Sequence, residues 1–84
     1  MDHIVTTIHP FLIYQNVSVY KNGECIKNYE CNLDDIVTAI QDAIDTYHIY
    51  NIDLAGDRLF SHKIEKNLID TSKFEANELN IKVY

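Results

Sequence analysis

Residues 51–68, NIDLAGDRLFSHKIEKNL, constrain this chain more than any other stretch. An apolar run, Ile52, Leu54 and Ala55, ends at Gly56-Asp57, and an amphipathic helical pattern starts at once. Glycine permits a tight turn and aspartate caps a helix, so the segment reads strand, turn, helix with almost no loop between. In an open α/β sheet, ligands settle at the carboxyl end of such a strand, beside a helix N-terminus. Asp53, Gly56, Asp57 and Arg58 are therefore the candidate ligand-binding residues. Asp57 could ligate a divalent cation beside Asp53. A phosphate would favour the free N–H groups and Arg58 but would be repelled by Asp57. The same residues have a purely structural reading, with Asp57 as cap, Gly56 as turn residue and Asp53 as an alternating polar position. Neither GxxxxGK[ST] nor GxGxxG occurs.

Upstream, residues 12–20 (LIYQNVSVY) and 25–31 flank Lys21-Asn22-Gly23-Glu24. Asn-Gly between two alternating runs predicts a β-hairpin, because both central residues of a type I′ turn need positive φ. A turn centred on Asn22-Gly23 pairs Tyr20 with Cys25, Val19 with Ile26, Asn16 with Tyr29 and Tyr14 with Cys31. One face then holds Ile13, Val17, Val19 and Ile26, and the other Tyr14, Tyr20, Cys25, Tyr29 and Cys31. Neither face is polar. Ile4, Val5 and Ile8, before Pro10, read as a short strand or an arm.

Asn32 is placed to cap a helix with Asp34 and Asp35 in its first turn. Leu33, Ile36, Val37, Ile40, Ile44 and Tyr47 follow at helical spacing, opposite Asp34, Asp35, Thr38, Gln41, Asp42 and Asp45. Residues 49–55 form the next strand. Asp57 opens a second helix with the stripe Phe60, Ile64 and Leu68. Phe74 and Ala76 fall in the return loop, and Leu79, Ile81 and Val83 alternate in a last strand.

The order is ββαβαβ, apart from any N-terminal strand. The expected fold is a single α/β domain over residues 1–84, with a four-stranded mixed sheet of order 2-1-3-4. Strand 2 is antiparallel, and both helices can pack on one face. This arrangement resembles a reduced ribonuclease H-like or actin-like core, an antiparallel hairpin followed by parallel βαβ units. The ribonuclease H-like nucleases hold two metal ions with carboxylates, one of them central on the first strand. Residues 12–20 offer Gln15, Asn16 and Ser18 there, with no Asp or Glu. The actin-like phosphate loops are rich in glycine, and this hairpin has only Gly23. The resemblance implies a topology and no activity.

Charge narrows the partners. The net charge of −6 arises entirely in the middle third, since residues 28–57 carry seven carboxylates and no Lys or Arg. Direct binding to nucleic acid needs a basic patch, and none is visible. No stretch approaches the roughly 20 apolar residues of a membrane span, and residues 1–3 lack the basic start of a secretory signal. A cytoplasmic protein is expected. Abundant Ile, Asn, Tyr, Asp and Lys, with one Arg and no Trp, suggest an AT-rich genome, such as a low-GC bacterium or its phage.

No catalytic constellation, cofactor motif or metal-ligand spacing is present. Cys25 and Cys31 lie six apart in one strand, about 20 Å, too far for a disulfide. His3, His9, His48 and His62 form no HExxH-type pair. The reading is therefore a small acidic non-enzymatic interaction module, of the kind a phage or mobile element uses as an accessory or inhibitor protein. Its expected partner is a basic, nucleic-acid-binding protein. The candidate partner-binding residues are Asp34, Asp35, Asp42 and Asp45 on the helix and Tyr14, Tyr20 and Tyr29 on the hairpin. Two apolar sheet faces on so small a chain would also favour a homodimer. The alternatives are a small-ligand or divalent-metal domain built on the Gly56-Asp57 turn, and a structural subunit of a larger assembly.

Overall fold

The computed structural model describes residues 1–71 and 78–84. The elements are β1 (His3–Ile8), β2 (Gln15–Lys21), β3 (Glu24–Cys31), a 3-10 turn (Leu33–Asp35), α1 (Ile36–Tyr47), β4 (Asn51–Gly56), α2 (Arg58–Thr71) and β5 (Asn80–Val83). They form one mixed sheet of five strands in the order β3-β2-β1-β4-β5. β1 pairs antiparallel with β2 and parallel with β4, and β4 pairs parallel with β5.

The four-stranded sheet of order 2-1-3-4 is thus corrected. Residues 3–8 enter at its centre and separate the hairpin from β4. Ile4, Thr6 and Ile8 are buried along this strand. Thr6 tolerates burial because its hydroxyl donates to the Asn16 carbonyl at 2.7 Å. The central strand β1, like β2, carries no Asp or Glu.

Both crossovers, β3 to β4 through α1 and β4 to β5 through α2, step the same way along the sheet. Right-handed crossovers then place both helices on the same face. Ile36, Ile40 and Ile44 of α1 and Ile64 and Leu68 of α2 meet Ile4, Ile8, Val17, Val19, Ile52 and Leu54 in one core. The Gln41 side-chain amide donates to the Thr71 hydroxyl at 2.8 Å, tying the two helices together.

The hairpin turns at Asn22 (φ 54) and Gly23 (φ 79), the double positive φ that Asn-Gly implies. Its register begins as expected, Tyr20 opposite Cys25, and then shifts. Val19 lies opposite Lys27 and Val17 opposite Tyr29, leaving Ile26 as the extra residue of a β-bulge. One residue of slip exchanges the faces of the rest of β3. Tyr29 and Cys31 move to the helix side, where they pack against the core. Asn28 and Glu30 move to the open side, opposite Ser18 and Asn16.

The open face is therefore polar, contrary to the expectation of two apolar faces. Ser18 donates to Asn28 at 3.0 Å, Asn28 donates to Asn16 at 3.1 Å, and Asn80 donates to Asn51 at 3.0 Å. His3 Nδ1 lies 3.0 Å from Asp53 Oδ2 across β1 and β4. Such a face is stable in water, so its chemistry gives no reason for a second copy to cover it.

Asn32 makes no side-chain cap, and the first turn takes 3-10 geometry instead, closed by the Asp35 N–H donating to the Asn32 carbonyl at 3.0 Å. Phe74 and Ala76 lie outside the described residues.

Candidate interaction surface

Asp34, Asp35, Asp42 and Asp45 are all exposed. Residues 35, 38, 42 and 45 recur at spacings of three and four and so follow one side of α1. Among the described residues, no Lys or Arg nitrogen pairs with any of them; the only ion pairs join His3 to Asp53 and His62 to Glu65. Among the described residues, three of the four carboxylates make no hydrogen bond or ion pair. The fourth, Asp42, accepts a hydrogen bond from the Tyr29 hydroxyl at 2.6 Å.

That bond spans an open cleft of about 450 Å³ between α1 and the edge strand β3, lined in part by Tyr29, Cys31, Asp35, Thr38 and Asp42. Burial, with Asp42 as acceptor and neighbouring charge, pushes the Tyr29 phenol up to about 12. Burial and the Asp35 charge likewise push the Cys31 thiol up. Both effects disfavour the nucleophilic thiolate. At the cleft mouth the Lys27 ammonium lies over the Tyr29 ring, 5.2 Å from its centroid.

The three candidate tyrosines do not share a face. Tyr14 is exposed in the β1–β2 connection. Tyr20 lies on the open face, edge-on to His3 with ring centroids 6.3 Å apart. Tyr29 points to the helix side. The bulge is what separates Tyr29 from Tyr20.

The candidate ligand residues each have a place in the fold. Asp53 faces the open side and is engaged by His3 and, at 3.5 Å, by the Tyr84 hydroxyl. Asp57 caps α2, its Oδ1 accepting the Phe60 N–H at 3.0 Å. Gly56 has φ 88 and packs directly on Ile8. Arg58 is exposed in the first turn of α2. Among the described residues, no group of three or more His, Cys, Asp or Glu side chains could hold a metal ion, and no helix is long and apolar enough to cross a membrane.

One surface escapes sequence reasoning. β2 begins at Gln15, not at residue 12, and Phe11, Leu12, Ile13 and Tyr14 are exposed by 99%, 58%, 77% and 60%. Their loop has defined geometry. Pro10 occupies the second position of a turn closed by the Leu12 N–H donating to the His9 carbonyl at 3.0 Å. The buried Gln15 amide completes it, accepting from the His9 N–H at 2.9 Å and donating to the His9 and Leu12 carbonyls at 2.7 and 3.0 Å. The available signal was Pro10 followed by four consecutive apolar residues, a run that period-two burial cannot hide.

Comparison with protein-family models, curated proteins and solved structures yields no match.

Proposed function

We propose that this chain is a small acidic interaction module, without chemistry of its own, that binds a basic protein partner through the acidic side of α1. One observation carries the reading. Asp34, Asp35 and Asp45 are exposed carboxylates that form no ion pair with Lys or Arg among the described residues. Asp45 also lies in the last turn of α1, where the helix dipole disfavours negative charge. A structural role would be served by a Glu–Lys ladder, which is absent here. An external partner with a basic surface supplies the missing charge and is steered toward it.

A nucleic-acid-binding protein fits that description, with this module occupying its phosphate-binding groove. An accessory or inhibitor protein of a phage or mobile element, acting in the host cytoplasm, would work this way. The test reverses Asp34, Asp35 and Asp45 to lysine and leaves Asp42 with its Tyr29 bond. Pull-downs from the native host should lose the wild-type partner. Recovery of the same partner at undiminished yield would refute the reading.

A further inference from the structure

The apolar loop 9–14 has no structural task that explains its side chains. Phe11 is 99% exposed, and among the described residues none of Phe11, Leu12, Ile13 and Tyr14 belongs to the core or packs against it. Yet the backbone that carries them is fixed by the Gln15 amide, which uses both its oxygen and its nitrogen on this loop. A rigid backbone presenting a bare aromatic anchor is the arrangement found at interface hot spots, where little ordering remains to be done on binding.

The neighbourhood specifies the partner's chemistry. β1 ends where β4 ends, Ile8 opposite Gly56, and Gln15 lies opposite Cys31 at the end of β3. Residues 9–14, 32–35 and 57–58 therefore cluster at one end of the sheet. Their formal charges are Asp34, Asp35 and Asp57 against Arg58 alone. Leu59, 66% exposed in the first turn of α2, extends the apolar surface at this end. A membrane-inserting loop would carry lysine or arginine beside its apolar residues, and this loop has neither. A second copy would bring the same acidic rim against itself.

We propose that loop 9–14 is the anchor of a protein-binding surface, with Phe11 entering an apolar pocket whose rim on the partner is basic. The inference rests on the reading of this chain as a module for a basic protein, and adds the contact that gives the complex its lifetime. Carboxylates at the rim act mainly on association, whereas a buried aromatic acts on dissociation.

The test places the photo-crosslinker p-benzoylphenylalanine at position 11 of the full chain in its native host, with position 69 as control. Ile69 is also apolar and exposed, at 51%, but lies on α2 near its C-terminus. The expected adduct at position 11 is one protein with a basic surface, and position 69 gives none. That protein is then purified and titrated with wild type, Phe11→Asp and Ile69→Asp. Phe11→Asp should raise Kd about thirtyfold or more, and Ile69→Asp should leave it unchanged. Thermal melts of both variants should match wild type, since both residues are exposed.

Three results would overturn the inference. One is an absent adduct at position 11, or one formed with a second copy of this chain. Another is flotation of the wild-type chain on phosphatidylcholine or phosphatidylserine vesicles that Phe11→Asp abolishes. The last is wild-type affinity in Phe11→Asp. If that last result accompanies weakened binding on reversal of Asp34, Asp35 and Asp45, the anchor fails while the acidic-face reading stands. The opposite pattern removes the acidic face and keeps the loop.

Discussion

Gly56 presses its α-carbon against the main chain of Ile8, and a Cβ at position 56 would lie 2.3 Å from the Ile8 carbonyl oxygen and 2.7 Å from its nitrogen. The same Ile8 carbonyl accepts the Asp57 N–H at 3.0 Å. At this junction β1, absent from the expected four-stranded sheet, meets both the end of β4 and the start of α2.

Gly56→Ala combines a positive φ of 88 with a clash against backbone that cannot move aside. The expected loss is about 3 kcal/mol or more, read by urea denaturation. A loss within a few tenths of a kcal/mol would mean that β1 does not pack here.

Asp57→Ala should cost about 1 kcal/mol through the lost cap, and Asp57→Ser or Asp57→Asn should recover most of it. Recovery by serine separates capping from metal ligation, because a neutral hydroxyl replaces a cap better than it replaces a carboxylate ligand.

His48 closes α1 in the left-handed conformation at φ 55, its N–H donating to the Ile44 carbonyl at 2.9 Å. His48→Gly removes the steric penalty of a side chain there. A gain of about 0.5–1 kcal/mol is expected in the same denaturation assay. A loss would assign His48 a contact that the fold does not show.

Much of this architecture was legible in the chain. Asn22-Gly23 announced its turn, Asp57 its cap, and the Ile36, Ile40, Ile44 stripe its helix, because each depends on residues a few positions apart. The centre of the sheet was not legible, because Thr6 breaks the apolar alternation of β1 and is satisfied only by Asn16, ten residues away. The bulge at Ile26 was hidden for a similar reason. It brings Tyr29 onto α1 beside Asp42, a gain invisible to local pairing rules. Of the candidate site, the acidic side of α1 was read directly from spacing. The loop at Phe11 was concealed inside a run whose β propensity is high but whose backbone is turned by Pro10 and held by Gln15.

Tyr29 offers a pH readout of that misread register. Its folded pKa, about 12, lies above the ordinary 10.0 because burial and Asp42 disfavour the phenolate. A raised folded value means that the contribution is complete below about pH 10 and is lost as pH rises toward 12, where the unfolded chain releases the proton first. Wild type should therefore lose more stability across that window than Tyr29→Phe. In an absorbance titration, a tyrosine component ionising near 12 should be present in wild type and absent from the variant. Identical pH profiles would place Tyr29 on the open face, as simple hairpin pairing predicts.

Gln15→Ala should destabilise the protein by about 1–3 kcal/mol, since it removes the hydrogen-bond partner of the His9 N–H and of the Leu12 carbonyl and leaves the His9 carbonyl with the Leu12 N–H alone. It should also weaken partner binding with Phe11 intact, because a loop that must be ordered on binding costs affinity. Amide exchange at His9 and Leu12 reports the loosening, and unchanged exchange would mean that Gln15 does not hold the loop.

The most direct test of the central claim is a calorimetric titration of the protein crosslinked at position 11 with wild type and with Asp34→Lys/Asp35→Lys/Asp45→Lys, at low and high salt. The acidic-face account predicts that the triple variant binds about tenfold or more weakly at low salt, and that the gap narrows as salt screens the surface charges. Equal affinities at low salt would contradict it.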